Sequence, residues 1–203
     1  MLSRAIIDFK PVSPEAGDLF KGRDPLDVAR RLEKAGVLGL SVVTEREHFG
    51  GSLDLLRGVA NAVSLPVLRK DFIKTADDLL ETVECGAKGV LLICATTGDV
   101  GSLHEKALSV GLKPVVEVHT PDEMRLAESI GAKIIGINNR DITVFERDGG
   151  TVGLTLDLIK MAPEGAFVIS ESGIADSGDA QRALDAGADA VLVGTAFWLG
   201  RFG

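Results

Sequence analysis

The sequence predicts a single (β/α)8 barrel, the TIM-barrel class, over residues 1–203, and three observations predict it. First, apolar runs end abruptly in polar packets: residues 134–140 read I-I-G-I-N-N-R and residues 168–174 read V-I-S-E-S-G-I. Apolar runs of this length suit strands buried on both faces of a parallel sheet. The packets then fall at the strands' carboxyl ends, where such a barrel keeps its active site. Second, these runs alternate with amphipathic stretches, and regular βα alternation implies a parallel sheet. Third, a helix–glycine–strand step recurs as A-G-V-L-G-L, C-G-A-K-G-V, I-G-A-K-I-I and A-G-A-D-A-V. Glycine there supplies the left-handed residue that ends a helix. An open doubly wound sheet is the alternative arrangement of the same alternation.

Eight strand-like runs are expected: Ala5–Phe9, Gly39–Val43, Pro66–Arg69, Gly89–Ile93, Lys113–Glu117, Ile134–Asn138, Phe167–Ser170 and Ala190–Val193. Between the first two, Pro25–Ala35 places Leu26, Val28, Ala29, Leu32 and Ala35 on one helical face, with Arg30, Arg31 and Glu33 mostly opposite. Further helices are expected at Leu53–Ala62, Ala76–Glu84, Val100–Val110, Pro121–Ser129, Gly153–Met161 and Gly178–Ala186, and a short last one at Thr195–Leu199. Asp24 before Pro25, and Thr120 before Pro121, pair a capping side chain with proline at the first helical position. Residues 148–151 (D-G-G-T) read as a loop.

Composition bounds the partners. The formal net charge is −8 with 45% hydrophobic residues, which disfavours nucleic acid and anionic membranes. An anionic ligand must be held by a local cluster of donors. Cys85 and Cys94 lie outside any metal-ligand spacing and read as buried thiols of a reducing compartment. No segment approaches the ~18 apolar residues that span a bilayer, and the N-terminal apolar patch is too short for a signal peptide. The expected location is cytoplasmic.

The strand ends carry the chemistry. The first offers Asp8 and Lys10, which share a face because residues two apart in a strand do. The second is followed by Glu45 and Phe49, and the third ends at Lys70. The fourth gives apolar Leu91 and Ile93, the fifth Glu117, the sixth Asn138 and Arg140, and the seventh Glu171. Lysines and carboxylates gathered at one mouth tune each other's pKa, as general acid–base chemistry requires. The last two units differ: S-E-S-G-I and V-G-T-A each place glycine and a hydroxyl after the strand, at Ser172, Gly173, Gly194 and Thr195. Turn N–H groups there form an anion site, the usual phosphate position in these barrels. Ser13, after the first strand, lies next to the eighth in a closed barrel and is a further contributor. His119, two residues after Glu117, can share its face, as a structural residue or a metal ligand. Trp198 reads as a packing residue.

The ordered set K-x-x-S-P, T-E-x-x-x-F-x-G-S, V-L-R-K-D-F-I, V-E-V-H, G-I-N-N-R-D, S-E-S-G-I and V-G-T-A resembles the indole-3-glycerol-phosphate synthase family from about Ile6 to Ala196. The resemblance implies conversion of 1-(2-carboxyphenylamino)-1-deoxyribulose 5-phosphate to indole-3-glycerol phosphate, carbon dioxide and water, without a metal or organic cofactor. It makes Lys70 the general acid, Glu117 the acid or base, Lys10 the lysine near the substrate carboxylate, Asn138 the amide orienting the sugar hydroxyls, and Glu171 a positioning carboxylate. Ser13, Ser172, Gly173, Gly194 and Thr195 match positions around the phosphate. Phe49, Leu91 and Ile93 match the apolar wall against the anthranilate ring, and Arg140 is a further substrate contact. It further implies a small-molecule partner only, and a monomer or weak homodimer.

Three departures from the family pattern are expected to matter. Asp8 stands where the family has glutamate, and displacements near 1 Å can cost roughly a hundredfold in rate. Pro11-Val12 replaces a more basic pair before Ser13. The sequence begins almost at the first strand, so most of the family's N-terminal extension is expected to be missing and the mouth to be more open to water. Two other readings fit a barrel of this kind: a sugar-phosphate aldolase using Lys70 as a Schiff base, and a non-catalytic phosphate-binding barrel.

Overall fold

The computed structural model describes residues 2–140 and 150–202. Eight parallel strands close into a barrel: β1 (Ala5–Phe9), β4 (Gly39–Val43), β5 (Val67–Lys70), β6 (Gly89–Ile93), β7 (Lys113–Val118), β8 (Ile134–Asn138), β9 (Phe167–Glu171) and β10 (Ala190–Val193). Closure is made by β1 against β10, with Ala5 opposite Val191 and Ile7 opposite Val193. This is the closed arrangement rather than the open sheet. The helices are α1 (Pro25–Ala35), α2 (Leu53–Ala62), α3 (Ala76–Glu84), α4 (Val100–Ser109), α5 (Pro121–Ser129), α6 (Gly153–Leu158), α7 (Ser177–Asp185) and α8 (Thr195–Trp198).

Local chemistry sets the helix ends. Asp24 accepts from the Leu26 N–H ahead of Pro25, and α1 stops at Gly36 with φ 78°. Thr120 and Glu123 form a reciprocal capping box at the start of α5, which also carries Pro121 at its first position. Where boundaries differ from expectation, the difference is small. Strands β5, β7 and β9 each run one residue further, to Lys70, Val118 and Glu171. The helix expected over Gly153–Met161 tightens to a 3-10 turn at Ile159–Met161, and α8 ends at Trp198. A hairpin of β2 (Val12–Ser13) and β3 (Gly17–Asp18) follows β1. Strands of two residues have no periodicity to read.

Side-chain parity divides the interior. Outward residues such as Ile7, Phe9, Val42, Leu92, Val116 and Ile137 pack against the helices. Inward residues Ile6, Leu68, Leu91, Val115, Ile169 and Leu192 form an apolar plug inside the barrel. Above that plug, at the strands' carboxyl ends, the inward positions become polar. No helix of the described residues is long and apolar enough to cross a membrane.

Candidate active site

The polar inward positions are Asp8 and Lys10 on and after β1, Lys70 on β5, Glu117 on β7, Asn138 on β8 and Glu171 on β9, and all six are buried. Lysine and glutamate are almost never fully buried unless paired, and desolvating each charge costs several kcal/mol. Two lysines and three carboxylates held at one mouth therefore mark a site built for charge.

A cavity of about 220 Å³ opens there, lined by Asp8, Lys10, Lys70 and Arg140 and by Ser172, Gly173, Gly194 and Thr195. These last four are the residues expected around an anion. Arg201, beyond α8, and Glu15 also line it, and Glu15 pairs with Arg140 at 3.0 Å. A smaller apolar pocket adjoins, lined by Phe49, Phe72 and Ile93 together with Lys10 and Lys70. Both lysines thus border the polar cavity and the apolar pocket. The Lys10 ammonium stands 5.3 Å from the centre of the Phe49 ring, a cation–π contact.

The chain at Lys70, Asp8 and Phe49 is held by neighbouring side chains. Beside Lys70, Arg69 points outward and donates to Thr44 Oγ1 (3.0 Å), the Asp78 carbonyl (2.9 Å) and Asp71 Oδ2 (3.3 Å). That fixes R-K-D with Lys70 facing inward and Asp71 at the rim of the apolar pocket. The Trp198 indole N–H donates to the Asp8 carbonyl at 2.8 Å, so the packing residue also fixes the end of β1. Glu45 accepts from the backbone N–H groups of Glu47, His48 and Phe49 at 2.9, 2.9 and 3.0 Å. Burial works to raise its pKa, but these hydrogen bonds and one from the His48 side chain outweigh it and hold the carboxyl below its usual value. Glu45 thereby shapes the turn that presents Phe49.

Glu117 lies opposite Ile93 on one side and Gly136 on the other. Its oxygens accept no hydrogen bond among the described residues; His119 Nε2 stands 3.5 Å from Oε1. His119 does share its face. Cys94 sits close by, its thiol pushed up to about 12 by burial and by the Glu123 and Glu117 carboxylates. The Asn138 side-chain oxygen accepts from the Arg140 N–H at 3.0 Å, and its Nδ2 has no acceptor among the described residues. Gly136 makes room for Glu171: a Cβ built there would overlap Glu171 Oε1 and lie 2.9 Å from its Cδ. The Glu171 carboxylate therefore reaches across β8 toward Glu117.

Five expected residues line neither space: Ser13, Leu91, Glu117, Asn138 and Glu171. The last three hold the inward positions at the carboxyl ends of β7, β8 and β9. Ser13 is buried in the β2–β3 hairpin and does not line the cavity; its hydroxyl accepts from the Ala16 N–H at 3.3 Å. Leu91 points inward but belongs to the plug, one inward position below Ile93, and does not line the apolar pocket. Sequence reasoning missed Phe72, Glu15, Arg201 and Asn139. For Phe72 and Arg201 the available signals were an aromatic beside Lys70 and a cation just past α8.

Fold and site together define a (β/α)8-barrel protein with a polar, anion-suited cavity on one side of two lysines and an apolar pocket on the other. A model of the family described as indole-3-glycerol phosphate synthase matches residues 2–200. Proteins of that name are 47% identical over 193 residues in Pyrococcus furiosus and 43% identical over 192 residues in Thermococcus kodakarensis; each match spans 94% of this chain and 84% of the relative. The chain belongs to the indole-3-glycerol phosphate synthase family, and it is an enzyme, a carboxy-lyase of the tryptophan pathway. Among solved structures, N-acetylmannosamine-6-phosphate 2-epimerase from Clostridium perfringens superposes with a TM-score of 0.74 at 16% identity, covering 95% of this chain and 86% of that one. That likeness concerns the fold alone.

Proposed function

We propose that this site closes, decarboxylates and dehydrates 1-(2-carboxyphenylamino)-1-deoxyribulose 5-phosphate to indole-3-glycerol phosphate, with the sugar phosphate in the polar cavity and the anthranilate ring in the apolar pocket. The observation that carries the reading is the shared position of Lys10 and Lys70, which line both spaces. A substrate with phosphate at one end and an aromatic ring at the other lays its keto carbon between them.

The chemistry follows from that placement. The ring carbon bearing the carboxylate attacks the ketone, and the carbonyl oxygen takes up charge. A lysine ammonium stabilises that oxygen and delivers its proton, the role given to Lys70. Lys10 faces the substrate carboxylate and holds it out of the ring plane. Loss of carbon dioxide then returns the bonding electrons to the ring. Dehydration needs a proton on the departing hydroxyl and another removed from the adjacent carbon that joins the nitrogen, a task for a lysine–carboxylate pair with Glu117 as the carboxylate. Asn138 orients sugar hydroxyls, Glu171 positions the substrate and Arg140 contacts it. Ser172, Gly173, Gly194 and Thr195 hold the phosphate. Asp8 serves as a shorter proton relay. The reading expects a cytoplasmic enzyme, monomeric or weakly dimeric.

The test is indole fluorescence on mixing protein with this substrate. Lys70→Ala and Glu117→Gln should each lower kcat by about 100- to 10,000-fold, the range for a positioned acid or base. A wild-type protein that gives no indole signal, or variants that keep full activity, would defeat the proposal. A borohydride-stable adduct on Lys70 would point to the aldolase chemistry instead.

A further inference from the structure

Asn139 stands between two residues given catalytic roles, but it faces out of the barrel and is buried. Its amide is fully engaged. Nδ2 donates to Ser170 Oγ (3.0 Å), the Glu171 carbonyl (2.9 Å) and the Ser172 carbonyl (3.2 Å). Oδ1 accepts from the Thr155 N–H (2.9 Å) and the Thr155 hydroxyl (3.0 Å). The Thr155 and Ser170 hydroxyls lie 2.8 Å apart and close the network. One side chain thus ties the end of β8 to β9, to the turn after β9 and to the first turn of α6. That helix has no side-chain cap of its own at Val152, so Asn139 satisfies one of its orphan N–H groups from a distance.

The turn it grips is unusual. Ser172 has φ 58°, a left-handed conformation that a side chain rarely adopts, and Gly173 follows with φ 65°. A residue in such a conformation persists only where its surroundings over-determine it. Asn139 is what does so. In a planar trans peptide the carbonyl and the following N–H point in opposite directions. With the Ser172 carbonyl drawn to Asn139, the Gly173 N–H is directed to the other side, toward the polar cavity that Gly173 lines together with Gly194 and Thr195. The Ser172 N–H belongs to the ladder in which Glu171 pairs with Leu192, so the turn offers its Gly173 N–H as the backbone donor for an anion. The fit also depends on close packing, since a Cβ at Gly173 would come within 3.1 Å of Asn139 Cβ.

We infer that Asn139, braced by Thr155 and Ser170, is the positioning residue that sets the Ser172–Gly173 turn as the phosphate cradle of the substrate. It acts through the turn and touches no substrate atom. The inference rests on the functional reading above for the identity of the phosphate, and on the hydrogen bonds alone for the existence of the cradle.

The experiment titrates inorganic phosphate by calorimetry into wild type, Asn139→Asp, Thr155→Val and Thr155→Ser, with KM and kcat measured in parallel. Asn139→Asp keeps the shape but puts an oxygen against the two carbonyls. Phosphate affinity should fall by about 10- to 100-fold, the worth of hydrogen bonds to a charged group, and KM should rise by the same factor while kcat falls less. Thr155→Val should show the same split more weakly, and Thr155→Ser, which keeps the hydroxyl, should match wild type. A purely architectural role would lower the melting temperature without this matched change in phosphate affinity and KM. Unchanged phosphate affinity in a folded Asn139→Asp would overturn the inference. If that variant does not fold, unchanged affinity in Thr155→Val would do so, and so would absence of phosphate binding by the wild type. Loss of phosphate binding in the variants of a wild type that makes no indole product would sink the reaction assignment and leave the cradle standing.

Discussion

Replacing Gly136 by alanine should disable the enzyme while removing no charged group of the site. The added methyl would overlap Glu171 Oε1, lie 2.9 Å from Glu171 Cδ and stand 3.4 Å from Val115 Cγ1. Val115 belongs to the plug and cannot retreat without disturbing it. The yielding group is the Glu171 carboxylate, which must swing away by about 1 Å, a displacement that costs on the order of a hundredfold in rate. Overpacking should cost a further 1–3 kcal/mol or so of stability. Steady-state indole fluorescence measures the first effect and thermal unfolding the second. A companion double variant, Gly136→Ala with Glu171→Asp, draws the carboxylate back by one methylene; it should regain stability but not activity. A Gly136→Ala enzyme with unchanged kcat/KM would refute the reasoning, because the carboxylate would then have no need of its place over β8.

Three further outcomes follow from groups around the site and in the shell. His104 is buried in α4, and burial pulls its pKa down against a weaker opposing pull from Glu105. Its stabilising contribution is fully present above the ordinary histidine pKa of about 6.5 and is lost as pH falls through the lowered folded value. Chemical denaturation across that range should show the loss in wild type and less of it in His104→Gln, and identical profiles would count against it. Glu45→Gln should loosen the turn that carries Phe49, raising KM more than it lowers kcat and costing about 1–3 kcal/mol at neutral pH. Because the Glu45 pKa is lowered, that stability gap should shrink as pH drops through its folded value, and a pH-independent gap would contradict the assignment. Cys94, with its thiol pushed up to about 12, should react far more slowly with iodoacetamide near pH 8 than an ordinary thiol of pKa about 8.5. Rapid labelling of the folded protein at Cys94 would show that its thiolate is not suppressed.

What the sequence made legible was direction. The period of two along a strand places Asp8 with Lys10, Glu117 with His119 and Gly136 with Asn138 on the inward face, and the structure keeps each pair together. Height along the barrel axis was not legible. Leu91 and Ile93 have the same parity, but register against β7 sets Leu91 beside Val115 in the plug and Ile93 beside Glu117 at the mouth. The placement of Ser13 was not legible for another reason: its strand is part of a two-residue hairpin whose direction is set by pairing with Gly17 and Asp18, not by burial pattern. Gly136 reads in sequence as one more small residue of an apolar run, because the space it leaves is filled by a side chain 35 positions away.

The residues behind the site share a physical logic. Beside each of three chemically important strand ends stands a polar group that fixes its position from outside: Arg69 next to Lys70, Asn139 next to Asn138, and Trp198 on the Asp8 carbonyl. The Glu117 oxygens and Asn138 Nδ2 accept or donate nothing among the described residues, and so stand open to substrate. The rigidity a reaction site needs must then come from the layer behind it. That layer is polar where helix packing would call for apolar residues, so an arginine or asparagine at an outward strand position is itself a signal. In this barrel the out-of-pattern polar residue one step from a catalytic candidate deserves the same scrutiny as the candidate.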